Sequence, residues 1–141
     1  MGSSSRRGPG AIATTLSAAV RDVRRAVRAA AEPAQPAALA LLRDTGWQLT
    51  QLTGELTDLA TLLAERTSRH LEHAEHVRHA DGEPGIPQLA RACRDLAGLR
   101  QALDTAHTAA RDYYTAISQL SPATPTGQPH RTPDSDEHRT A

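Results

Sequence analysis

The sequence predicts an all-α protein: a long antiparallel, coiled-coil-like helical hairpin with a shorter N-terminal helix packed at one end as a three-helix bundle. Three features point there. Leu49, Leu52, Leu56, Leu59 and Leu63 recur alternately three and four residues apart, the pattern of a helix that buries a narrow apolar stripe. Leu89, Ala92, Leu96, Leu99, Leu103, Ala106, Ala110, Tyr113, Ile117 and Leu120 keep the same spacing without a charge among them. Between the two runs, Asp81, Gly82, Glu83, Pro84 and Gly85 form the clearest turn in the chain. A short connection between two long helices folds them antiparallel.

The elements follow in order. Residues 1–10, rich in Gly, Ser and Pro, read as a disordered tail. A first helix is expected over 11–32, with Ile12, Leu16, Val20, Val23 and Val27 on one face and Arg21, Arg24, Arg25 and Arg28 on the other. Pro33 and Pro36 end it. A second helix is expected over 37–80. Gly46 invites a break, but Ala38, Leu42, Thr45, Leu49, Leu52 and Leu56 stay within about 40° of one direction at 100° per residue, so the helix should run through. A third helix is expected over 87–120, and the Pro-rich segment 121–141 as a second disordered tail. The single helical domain is thus 11–120. Folding at the turn should set Leu63 near Leu103, Leu52 near Tyr113 and Leu49 near Ile117. The first helix should fold back so that Val27 meets Leu42 and Leu16 meets Leu52. Beyond about Ala60 only two helices would continue, as an arm whose seam positions are the polar Arg66, His70 and His73.

Composition narrows the function classes. Among 141 residues there are one Trp, two Tyr and no Phe, which suits thin helix–helix seams better than a wide interior. Sixteen basic residues, all Arg, balance sixteen acids. A net charge of zero gives no overall field toward nucleic acid or an acidic membrane. Lys, Phe and Asn are absent, and all three need A/T-rich codons, so a high-GC bacterial genome explains the all-Arg basicity. The one cysteine, Cys93, excludes an intramolecular disulfide. No apolar run approaches the roughly 20 residues of a membrane span, and the N-terminus lacks a signal-peptide core. The expected setting is cytoplasmic.

The candidate sites are few. His70, His73, His76 and His79 recur every third residue. Imidazole is the commonest metal ligand, but steps of three rotate each His about 60° back from the last, so the four cannot converge on one ion. His70 and His73 are the best-placed pair, with Cys93 expected across the hairpin. Several His charging together would also make the arm pH-responsive. Trp47 should lie nearly opposite the leucine seam, sharing its side with Arg43 and Gly54, as an anchor for a partner helix or packed under Pro33 and Pro36, the N-terminal tail or the end of the third helix. Tyr113 should pack on Leu49 and Leu52, with Tyr114 at the rim. Arg21, Arg24, Arg25 and Arg28 could contact phosphates, or simply form the solvated side of an amphipathic helix. No catalytic set and no cofactor motif stands out. The expectation is a non-enzymatic helical interaction or self-association module, its partner another protein or itself as a homodimer. A metal- or pH-responsive binding protein and a nucleic-acid accessory protein are the alternatives.

Overall fold

The computed structural model describes residues 10–32, 38–76 and 80–123. The expected tails fall outside these, apart from Gly10 and residues 121–123. The structure is all α: α1 spans Gly10–Ala31, α2 Leu39–Glu72 and α3 Ile86–Ser118, with a short 3-10 turn at Ala74–His76. The chain divides into two units, one containing α1 and the other α2 with α3.

The α1 unit is one amphipathic helix. Thr14 and Thr15 turn their hydroxyls onto the carbonyls of Gly10 and Ala11. Ile12, Leu16, Val20, Val23 and Val27 line one side, each more than a third exposed. Arg25 reaches Asp22 at 3.3 Å on the charged side, where both side chains are mostly solvated.

The second unit is an antiparallel hairpin of α2 and α3. As the phase argument requires, α2 passes through Gly46 unbroken. At 1.5 Å per residue it is about 51 Å long, shorter than expected because it stops at Glu72. Past Leu71 the next seam positions hold Ala74 and Arg78. With little left to bury, tertiary packing no longer supports the helix. His73 is the C-cap, its N–H donating to the His70 carbonyl. His76 ends the 3-10 turn. The turn at 81–85 is present: Gly82 takes φ +91°, a left-handed value that suits glycine. The Glu83 N–H donates to the Asp81 carboxylate at 3.1 Å.

The surface α2 turns toward α3 is not the leucine seam. Gly46, Thr50 and Ala60 are its buried residues, and Thr53, Thr57, Ala64, Thr67 and Leu71 are half-buried. This stripe of small side chains also repeats at three and four, rotated about 90° from the leucines. Leu56 and Leu59 are half-buried on its flank, while Leu49, Leu52 and Leu63 are exposed. Every threonine of α2 donates its hydroxyl to the carbonyl four residues earlier, at 2.7–3.0 Å. A hydroxyl satisfied within its own helix leaves the methyl group free for apolar contact.

On α3 six of the ten expected seam residues face inward, the half-buried Ala92 among them. Leu89, Leu96, Leu103 and Ile117 are half-buried and Ala110 is buried. The alternate positions are filled by Cys93, His107 and Tyr114, whereas Leu99, Ala106, Tyr113 and Leu120 are exposed. Tyr114, expected at the rim, is thus the more buried of the two tyrosines.

The level of pairing also differs. Ser68 Oγ lies 3.9 Å from Cys93 Sγ, His107 meets Thr50 and Thr53, and Gly46 meets Tyr113. The expected pairing of Leu49 with Ile117 would have put Gly46 at the level of Leu120, so the helices are offset by about six residues, between one and two turns. The cause is the early end of α2, which moves the centre of the connection back along the chain. The resulting core is thin. Its buried hydrophobic residues are Ala60 and Ala110, and no large side chain is fully buried among the described residues.

Candidate functional site

Because both helices rotate their leucine seams partly outward, and in an antiparallel pair the two rotations lead to the same side, the hairpin has two unlike faces. On one, Leu49, Thr53, Ala106, Ala109, Ala110 and Tyr113 line a single open apolar groove. The groove belongs to a longer face. Leu41, Leu49, Leu52 and Leu63 on α2 are each 37–58% exposed, and Leu99, Tyr113 and Leu120 on α3 are 41–50% exposed. The α2 side is a leucine ridge. The α3 side is lower, with Ala102, Ala106 and Ala109 exposed between Leu99 and Tyr113.

The opposite face is polar. Gln51, Gly54, Glu55, Asp58, Asp104 and His107 line its groove together with Thr50 and Thr57. His107 closes the bottom. Its Nδ1 lies 3.0 Å from the Thr50 carbonyl and 3.2 Å from Thr53 Oγ1. A carbonyl can only accept, so Nδ1 carries the proton. The imidazole sits over Gly54, where a Cβ would meet Cε1 at 3.4 Å. The histidine is thus a bolt between the helices, and the carboxylates of Glu55, Asp58 and Asp104 make the rim acidic.

Toward the N-terminal end of α2 the same face carries an aromatic pair. Trp47 and Tyr114 stack at a tilt, ring centroids 5.4 Å apart and planes at 54°. Trp47 is 45% exposed. It packs against the end of α3 and keeps nearly half its surface in solvent. Arg43, one turn earlier, is half-buried, and its Nε is shielded without a hydrogen-bond partner. Gly54 lies against His107, so its bare backbone serves the hairpin's own packing.

The other candidates are distributed as follows. His70 is exposed at the last turn of α2 and His73 is its cap. Cys93 is half-buried at the level of Ser68, about one turn short of the histidine pair. Among the described residues no group of three or more His, Cys, Asp or Glu is arranged to hold a metal ion. Arg21, Arg24, Arg25 and Arg28 all lie exposed on α1. No helix of the described residues is long and apolar enough to cross a membrane.

No known protein family, curated protein or solved structure matches this chain.

Sequence reasoning missed the bolt at His107 and the two-faced character of the hairpin. One signal was present. Gly46, Thr53, Ala60 and Thr67 are seven apart, as are Thr50, Thr57, Ala64 and Leu71. That small-residue heptad competes with the leucine heptad beside it.

Proposed function

We propose that the hairpin is a non-enzymatic docking module that uses its leucine face to bind a helical partner, in the cytoplasmic setting expected from the composition. One observation carries this reading. The contact between α2 and α3 consumes the small side chains and leaves Leu49, Leu52, Leu63, Leu99 and Tyr113 exposed on one side. Burying a leucine stabilises by about 1.5–3 kcal/mol. A helix pair that fully buries only small residues and leaves its inward leucines half-buried has little to set against the entropy of ordering the chain. A further helical layer over the leucine face supplies the missing burial. The same geometry accounts for the heptad spacing of the exposed residues, which is the spacing that receives another helix.

The test is photo-crosslinking of the full chain in its native cells, with benzoylphenylalanine in place of Leu52 or, as a control, of Asp58 on the polar face. Adducts to protein at position 52 and not at 58 are expected. No adduct at 52, or equal capture from both faces, overturns the reading.

A further inference from the structure

Building on the docking reading, we infer that the occupant of the leucine face is a second copy of this chain. The two hairpins would be related by a two-fold axis parallel to the helices, so that α2 of each copy lies over α3 of the other.

The shape of the face selects this arrangement. Its α2 half is a ridge of leucines, and its α3 half dips to a valley of alanines between Leu99 and Tyr113. A two-fold axis along the helices turns ridge onto valley twice. An in-plane axis across the helices would set ridge on ridge and leave the valleys void, which close packing disfavours. An axis along the helices also preserves level. Ser68 faces Cys93 and Thr50 faces His107 within one chain, and the same correspondence holds between copies. Leu52 of one copy then stands at the level of Thr108 of the other, between Ala106 and Ala109. Leu59 stands at the level of Ala102. These two leucines meet sites lined by small residues, and all neighbouring helices in the resulting four-helix bundle run antiparallel.

Charge agrees with shape. Continuing the exposed leucine stripe one step past Leu63 leads to Arg66; continuing the α3 stripe one step before Leu99 leads to Asp95. Two residues before Ser68 and two after Cys93, they occupy one level. The symmetric dimer places Arg66 of each copy beside Asp95 of the other, twice. Among the described residues Asp95 makes a solvated contact with Arg91, at 3.8 Å with both side chains more than 70% exposed. Extent agrees as well. From Leu41 and Leu120 to Arg66 and Asp95 the face measures about 38 Å by 20 Å, roughly 750 Å² in projection, close to the ~800 Å² per partner of a stable interface.

Sedimentation equilibrium of the full chain tests the inference. A dimer at micromolar concentration is expected. Arg66→Glu should raise its dissociation constant about tenfold, since each substitution breaks two contacts by symmetry. Arg66→Glu combined with Asp95→Arg should restore it. Both positions are exposed, so helix content by circular dichroism should not change in any of the three. A chain that stays monomeric to about 100 µM, or a dimer indifferent to both the single and double exchange, overturns the inference. If the chain is monomeric while position 52 still captures another protein in cells, the second copy is wrong and the docking reading stands. If position 52 captures nothing, both fall.

Discussion

His107 donates from Nδ1 to the backbone carbonyl of Thr50, 3.0 Å away across the helix pair. It ties two residues far apart in sequence to one level. Leucine-on-leucine contacts alone would tolerate slippage by a turn, but a ring seated over Gly54 and bonded to one carbonyl does not. Replacing His107 with Ala removes that bond and the ring's packing. The Thr50 carbonyl keeps the Thr53 hydroxyl nearby, so the loss should be about 1–2 kcal/mol rather than the larger penalty of an orphaned buried group. Urea unfolding measures it, and an unchanged midpoint would refute the assignment.

Gly46 is the point of closest approach between α2 and the aromatic end of α3. A Cβ there would stand 3.0 Å from Cδ1 and Cε1 of the Tyr113 ring and 3.6 Å from the Tyr114 backbone. The ring is 41% exposed and can swing aside. Gly46→Ala should therefore fall within about 1 kcal/mol of the parent, the gain in helix propensity offsetting the displacement. Gly46→Leu reaches the backbone behind the ring, and a loss of about 2–3 kcal/mol is expected. Thermal unfolding of the two variants separates these cases.

Ala60 is 2% exposed at the middle of the small-residue stripe. Enlarging it should force the helices apart. Ala60→Leu should lower stability by about 2 kcal/mol, despite adding an apolar group at a heptad position of a good helix former. If the leucine seam were the true inner surface, the same change would be neutral or stabilising. Chemical denaturation of this one variant therefore discriminates the two rotations of α2.

Trp47 is the only tryptophan in the chain, so its fluorescence reports on one place. Tyr114→Ala removes the ring stacked 5.4 Å away. The emission maximum should shift to the red, with a stability loss of about 1 kcal/mol or more from the aromatic contact and its burial. Tyr113→Ala, on the other face, should leave the emission in place. Equal shifts from both variants would contradict the assignment of Tyr114 as the partner.

The hydroxyl of Thr57 is satisfied by the Thr53 carbonyl of its own helix, at 2.9 Å. Thr57→Val keeps the shape of the side chain and loses no bond across the interface. Its stability should change by less than about 1 kcal/mol. A large loss would mean that the hydroxyl serves α3 and not its own backbone.

Much of the helical order was legible because it depends on local periodicity. The phase of Leu42, Leu49 and Leu56 required a helix uninterrupted at Gly46, and α2 is continuous there. The Gly82 turn was equally plain, since few residues other than glycine accept φ +91°. The end of α2 was not legible, because the residues beyond Glu72 are not poor helix formers in themselves. What they lack is a surface to bury. That error shifted the expected pairs between α2 and α3 by about six residues: Tyr113 stands against Gly46 and still lines a groove with Leu49, while Tyr114 packs on Trp47.

From its sequence alone this chain determines its secondary structure class, the order of its helices, the antiparallel hairpin and the apolar stripes each helix carries. These follow from spacing and turn chemistry, which act between near neighbours. Only the tertiary structure decides which flank of each helix turns inward and at what level the two meet. Two heptads compete on α2, one of leucine and one of glycine, threonine and alanine. The small residues face α3 because they let the backbones approach closely around Gly46 and Ala60 and let His107 reach a carbonyl. A two-helix pair can bury only one narrow stripe, so the choice of the small one on α2 sends Leu49, Leu52 and Leu63 to the surface.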